Sequence, residues 1–324
     1  MRILVTGGGG FLGAAICRAL AARGDTVHSL SRRRYAALDE LGVTQHVADI
    51  RDRTAVLAAA DQCDAVVHCA AKAGLGGRHA EYEEINVDGT RNVLSACAHV
   101  GARLVHTSSP SVVHDGRDLE GVDESVPYAR RFLAAYPRTK ATAEQLVLAA
   151  AGNPIPTVAL RPHLIWGPGD PHFLPRLAAR RHRLWLLGTT DKLVDTVHID
   201  NAADAHLLAL DRLRPGSPLC GRAYFITQGE PCGFGEWVNS LLAAAGLPVV
   251  TRRLPVGPAC VAAGLVELGC RLPGLRREPP LTRFLVNQAA TAHWFDISAA
   301  RRDLGYRPRV STAEGLARLS EAVR

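Results

Sequence analysis

Tyr136 and Lys140, four residues apart in "YPRTK", are the pair in this chain whose types and spacing can do chemistry. Only Lys72, Lys140 and Lys192 are lysine among 38 basic side chains, so a lysine at this position is not a matter of general composition. On a helix, positions i and i+4 share one face, and the two side chains would point together. A phenol that titrates near ~10 is a poor base, and a neighbouring ammonium lowers that value toward the working range. The spacing fits proton exchange with an alcohol or a carbonyl, or else a plain solvent-facing helix contact.

A second constellation decides between these. Gly7, Gly10 and Gly13 form G-x-x-G-x-x-G directly after the apolar run Ile3 to Val5 and at the mouth of an amphipathic helix that ends near Gly24. Tight turning and close backbone approach let such a helix N-terminus hold a pyrophosphate, which points to a dinucleotide. An oxidised nicotinamide would add to the effect of Lys140 on Tyr136, and the ammonium's three rotatable donors suit ribose hydroxyls. At the end of the second strand, "HSLSRRR" offers Ser31, Arg32, Arg33 and Arg34 but no carboxylate for an adenosine 2′-hydroxyl. That favours a 2′-phosphate, hence NADP(H) as preferred cofactor with NAD(H) as the alternative. Asp49 in "ADIRD" is placed to accept from the adenine amino group, or to serve as a helix N-cap or turn residue. Ser108 and Ser109 end the fifth strand, where active sites of open parallel sheets form, and Ser109 is the better placed to meet Tyr136.

The elements that must position these groups alternate along the chain. Strands are expected at Ile3–Val5, "TVHSL", "QHVADI", "DAVVHCAA", "RLVHTSS" and "TVALRP", with helices between them, including one through Asn92 to Val100 and one starting near Tyr136. This is the pattern of right-handed βαβ units: an α/β fold of Rossmann type, a doubly wound parallel sheet covered on both faces. After Pro162 the alternation weakens, and "WGPGDP" and "LRPGSPLCG" mark connectors. The expected partition is a nucleotide-binding domain over 1–162 with returning segments near 193–228, and a smaller, discontinuous substrate lobe over 163–192 and 229–324. Ser311 and Glu314 read as a capping box for a final helix. The apolar stretch 256–272, interrupted by Pro258 and Glu267, is too short for a span; it reads as a helix lining an alkyl pocket or packing in the core, with membrane contact at most peripheral through Arg271, Arg276 and Arg277.

Composition limits the classes. The 324 residues, 47% apolar and 21% charged, describe a globular protein. The net charge of +7 comes without a basic tail or an aromatic-interleaved patch, so an anionic small ligand explains it better than nucleic acid. The run Arg180, Arg181, His182 and Arg183 reads as a solvated helix end. Eight cysteines without CxxC or Cys/His spacing predict no metal site and a reducing compartment, and no targeting segment is visible, so the cytoplasm is the expected location.

The blocks "TGGGGFLG", "AAKAG", "INVDGTRNVLSAC", "LVHTSSPSV", "YPRTKATAE", "LRPHLIWGPGD", "VHIDNAADAH" and "ARRDLGYRPRVSTAEGL" follow, in order and through nearly the whole chain, those of an extended short-chain dehydrogenase/reductase. "LRPHLIWGPGD" and "PPLTRFLVNQAATAHWFD" resemble its 3β-hydroxysteroid dehydrogenase-like branch. The resemblance implies Ser109, Tyr136 and Lys140 as the catalytic set with Asn86 in support, and adds Phe11, Leu12, Ile50, Ala70, Ala71, Lys72 and Pro162 to the cofactor-binding residues. Pro162, His163 and "IWGP", and Val113, stand where nucleotide-sugar epimerases carry other residues, which argues against a sugar nucleotide. His163 is either ligand-facing or packed. The implied activity is hydride transfer between NADP(H) and carbon 3 of a long-chain 2-alkyl-3-oxo or 3-hydroxy acid. A sterol or sterol-carboxylate alcohol and a non-catalytic NADP(H) sensor are the alternatives. A homodimer and pathway enzymes that supply or consume the acid are the expected partners.

Overall fold

In the computed structural model, which describes residues 1–74, 76–152, 155–171, 173–181, 184–270 and 281–323, the short apolar runs become strands. They are β1 (Arg2–Thr6), β2 (Thr26–Ser31), β3 (Thr44–Val47), β4 (Ala65–His68), β5 (Arg103–Thr107), β6 (Leu119–Val122) and β7 (Thr157–Pro162). Across the main sheet the order is Arg222–Ile226, β7, β5, β4, β1, β2, β3, all parallel. The chain runs outward from β1 to β3 and then returns to β4 on the other side. The carboxyl ends of β1 and β4 therefore open a crevice at the point where the winding reverses.

Helices follow in chain order: α1 (Phe11–Ala22), α2 (Ala36–Glu40), α3 (Arg53–Ala60), α4 (His79–Tyr82), α5 (Gly89–Val100), α6 (Ala135–Ala149), α7 (Phe173–Arg180), α8 (Ile199–Arg212), α9 (Phe234–Ala244), α10 (Val256–Gly269), α11 (Arg283–Ala290) and α12 (Thr312–Val323). Alternate strand residues feed two separate cores, because side chains in a strand alternate between faces. Ile3, Val5, Val67 and Val105 pack with α1 and α8, whereas Leu4, Val66 and Leu104 pack with α3 and α5. Every residue of β4 and β7 is buried, as strands covered on both faces require.

Two stretches depart from the expected partition. β6 falls within 1–162 yet lies in a second sheet, ordered Cys232–Gly233, Leu193–Val194, His293–Phe295, β6, and Leu193–Val194 joins it there. β6 is four residues long and only its first is buried, so its pattern carried no sign of a partner at His293–Phe295, where the distance along the chain is great. The return to the main sheet is made by α8 and Arg222–Ile226. A separate core of Trp166, Trp237, Leu241, Leu242 and Leu319 holds the smaller lobe.

At the C-terminus the capping box is half formed. Ser311 Oγ accepts from the Glu314 amide at 3.2 Å, but the Glu314 carboxylate turns to Arg318 at 2.6 Å. The α10 helix buries Ala259 and Ala263 against Val286 of α11 and turns Val261, Leu265 and Leu268 outward. Among the described residues no helix is long and apolar enough to cross a membrane. His182, Arg183, Arg271, Arg276 and Arg277 lie outside the described residues.

One ion pair fixes α6 to the sheet. The Arg161 guanidinium on β7 donates to both oxygens of Glu144 on α6, at 2.6 and 3.0 Å, and Tyr128 donates to the same carboxylate at 2.7 Å. Burial would raise the Glu144 carboxyl, but hydrogen bonds and charge from Arg161 outweigh it and leave it below the ordinary range. Both side chains are almost inaccessible, at 4% and 0% exposure. Glu144→Ala strands a buried guanidinium and is expected to cost about 3–5 kcal/mol in urea unfolding. A loss under about 1 kcal/mol, the size of a surface pair, contradicts this role for the pair.

Candidate active site

Three backbone segments meet at the crevice with no room for side chains. Gly7 takes a left-handed φ of +72°, and a Cβ there would lie 2.9 Å from the Ala70 backbone after β4. A Cβ on Gly13 would collide with the Gly7 carbonyl. Gly10 is the N-cap of α1 and offers no side chain to its open amides, so the first turn, with Phe11 and Leu12, can take an anion. This cradle fits a dinucleotide pyrophosphate.

Two cavities, of about 550 and 380 Å³, share Gly7, Gly10, Cys69, Ala71 and Ala73 and so form one groove across the cradle. The smaller is lined by Ser31, Arg32, Asp49, Ile50, Ala70 and Lys72. Ser31 Oγ accepts from the Gly9 amide at 3.2 Å. Arg33 is not among its walls: its guanidinium stacks on Tyr35 at 4.9 Å, and Arg34 pairs with Asp39. Asp49 is engaged by Arg51, at 2.9 Å between side chains, and the N-cap of α3 is Asp52 instead. Lys72 lines this cavity with its ammonium 3.3 Å from Glu81.

The larger cavity holds Ser109, Tyr136, Lys140 and Pro162. Tyr136 and Lys140 sit on one face of α6, whose first turn tolerates Pro137 because an amide there has no helical acceptor to lose. Burial raises the Tyr136 phenol, and a hydrogen bond with Ser109 pulls it the other way. Ser109 Oγ is held in turn by the Ser111 amide and hydroxyl, at 3.2 and 2.9 Å. Ser108 also lines the cavity but is 4% exposed. Lys140 is 3% exposed and donates to the Thr107 carbonyl at 2.6 Å. Burial, only partly offset by Glu144 and Cys69, lowers its ammonium to about 8.

Asn86 does not line the groove. It occupies a π-helical turn, Glu83–Asp88, and exchanges hydrogen bonds with the Lys72 backbone at 2.7 and 3.1 Å while donating to Thr139 Oγ1 at 3.0 Å. It ties the loop after β4 to the helix that carries Tyr136. His163 is packed, its Nε2 2.7 Å from Nδ1 of His293.

Beyond Tyr136 the cavity is walled by Leu164, Ile165, Leu177, Leu184, Trp237 and Leu285. Of the two roles expected for the apolar helix α10, pocket wall or core packing, it takes the second, on α11, and α11 supplies Leu285 to the wall. The α7 helix presents Phe173, Arg176, Leu177 and Arg180 to the cavity, so Arg180 is a lining residue and not merely a solvated helix end. Their spacing of three and four is the signature of one helix face, and assigning a helix to 173–180 would have brought the two arginines together from the sequence.

The chain belongs to the 3-beta hydroxysteroid dehydrogenase/isomerase family, whose model matches residues 4–256. It is 51% identical to a 2-alkyl-3-oxoalkanoate reductase of Stenotrophomonas maltophilia, over 98% of each chain. It is 46% identical to a 2-alkyl-3-oxoalkanoate reductase of Shewanella oneidensis, over 98% of this chain and 85% of the relative. Among solved structures, the UDP-glucuronic acid 4-epimerase of Bacillus cereus in complex with NAD superposes with a TM-score of 0.76 at 23% identity, covering 100% of both chains, which establishes the shared Rossmann-type fold.

The cradle makes a direct prediction. Gly13→Ala pushes a methyl group into the Gly7 carbonyl and is expected to weaken dinucleotide binding by about tenfold or more in a fluorescence titration. Unchanged affinity contradicts the assignment of the cradle.

Proposed function

We propose that this oxidoreductase reduces the 3-oxo group of a long-chain 2-alkyl-3-oxoalkanoate and, in reverse, oxidises the 3-hydroxy acid. The observation that carries this reading is the composition of one cavity: Ser109, Tyr136 and Lys140 at its inner end, and mostly apolar walls beyond that also include Asp170, Arg176 and Arg180. A branched long-chain acid has the matching chemistry, two alkyl arms and one carboxylate close to the reacting carbon. The two relatives whose names specify that reduction support it.

The cofactor in this reading is a nicotinamide dinucleotide, with the pyrophosphate on the cradle and the adenosine in the smaller cavity. NADP(H) is preferred because Arg32 and Ser31 line that cavity where a carboxylate would select the unphosphorylated ribose. The bound cofactor supplies or accepts the hydride at carbon 3. In reduction Tyr136 gives its phenolic proton to the developing alkoxide, and Ser109 donates a hydrogen bond to that oxygen. Lys140 keeps the phenol's ionisation within reach and binds the ribose. Asn86 holds the loop and helix in register. Eight unpaired cysteines fit a reducing compartment, and we place the protein in the cytoplasm as a homodimer, between enzymes that make the 3-oxo acid and consume the 3-hydroxy acid.

Absorbance of the reduced nicotinamide tests the reading on three compounds: a 2-alkyl-3-hydroxyalkanoic acid, its methyl ester and a 3β-hydroxysteroid. The acid is expected to turn over, the ester with a higher KM, and the steroid not. Turnover of the steroid alone moves the chain to the sterol branch, and cofactor binding with no turnover marks a sensor. Tyr136→Phe is expected to keep cofactor binding and lose about a hundredfold or more in turnover. The rate of reduction is expected to fall as pH rises above about 8, where the buried Lys140 ammonium gives up its proton.

A further inference from the structure

Lys140 has a partner that the catalytic set does not include. His106, 0% exposed on β5, brings Nε2 to 3.2 Å from the Lys140 ammonium, beside the Thr107 carbonyl at 2.6 Å. An ammonium only donates, so Nε2 must accept with its lone pair and the ring proton must sit on Nδ1. That Nδ1 has no hydrogen-bond partner among the described residues. An unpaired buried N–H is a cost that leucine or phenylalanine at this position would not carry. What the imidazole offers in return is Nε2.

The surrounding groups do not compete for this role. His68 on β4 lies 5.2 Å away between ring centres, with its nitrogens engaged by Thr6 at 2.7 Å and Thr90 at 3.0 Å. His206 on α8 is held by Thr107 Oγ1 at 2.9 Å and by the Ala202 carbonyl at 2.7 Å. Glu144 acts on Lys140 by charge, and the Cys69 thiol, raised by burial to about 11, is neutral where the ammonium titrates. Burial first, then Lys140, His68 and His206, holds His106 well below the ordinary imidazole range, so it stays neutral and able to accept.

We infer that His106 is a positioning residue for Lys140: its Nε2 accepts one ammonium proton while the Thr107 carbonyl accepts another, leaving a donor for the cavity that Lys140 also lines. The inference rests on the proposed roles of Tyr136 and Lys140. Two acceptors hold the side chain in one rotamer and favour the charged ammonium against burial; a single carbonyl would do each less well.

The test uses His106→Leu, which removes the acceptor, and His106→Gln, whose side-chain oxygen can replace Nε2. In the pH profile of kcat for ketone reduction, His106→Leu is expected to move the basic limb down by about one unit, a tenfold loss of proton affinity. His106→Gln is expected to keep the limb near that of the parent enzyme. An unmoved limb in a folded His106→Leu enzyme, or equal shifts in both variants, overturns the inference. Should His106→Leu fail to fold, 15N NMR of histidine-labelled parent enzyme, with His106→Gln for assignment, reads the tautomer directly. A proton on Nδ1 is expected, and one on Nε2 overturns the inference. If Tyr136→Phe and Lys140→Ala remain active, the catalytic reading itself fails, and the tautomer measurement still stands apart from it.

Discussion

An ammonium group kept out of water at the end of a strand is the constraint on which the rest of this structure depends. Lys140 is 3% exposed, and its environment must favour charge strongly enough to oppose the desolvation that draws its pKa down to about 8. Glu144, one turn further along α6, and Cys69 offset part of that desolvation, while the Thr107 carbonyl on β5 accepts from the ammonium and His106 lies beside it as the second acceptor inferred above. Tyr136, Lys140 and Glu144 follow one another at intervals of four, so a single helix face carries the proposed proton donor, the group proposed to tune it and the anchor to the sheet. The anchor holds because Glu144 meets Arg161 on β7 through two hydrogen bonds.

The position of that helix also sets the groove. With α6 lying over the sheet beside β5 and β7, Tyr136 reaches Ser109 at the end of β5, and the cradle after β1 lies at the other side of the same opening. The two cavities then divide the work by chemistry. Ser31, Arg32 and Asp49 give the smaller a polar wall, whereas α7, α9 and α11 give the larger a mostly apolar one with two cations. A ligand that is polar at one end of the groove and greasy at the other fits both.

The parts of this arrangement that were legible in the sequence are those written in local spacing. The glycines at 7, 10 and 13 stand between an apolar strand and a helix, and Tyr136 and Lys140 are one turn apart, so neither needs a distant partner to be recognised. The strands that carry them alternate with helices and could be read by period alone. What was not legible depends on contacts across the chain. Asn86 acts through the Lys72 backbone and Thr139, which only folding brings near. Arg33 resembled Arg32 until Tyr35 claimed its guanidinium. The small, apolar residues of α10 were readable as a pocket wall or as core packing; they pack α10 on α11, and it is α11 that reaches the cavity. β6 found its partner in the second sheet, far along the chain.

The proposed dependence of Tyr136 on Lys140 can be measured directly by titrating phenolate absorbance, taken as the difference between the parent enzyme and Tyr136→Phe, with oxidised NADP bound. The same difference is then recorded in a Lys140→Met background. Ionisation of Tyr136 is expected at clearly lower pH when the ammonium is present. The same titration midpoint in both backgrounds contradicts the claim that the buried ammonium tunes this phenol.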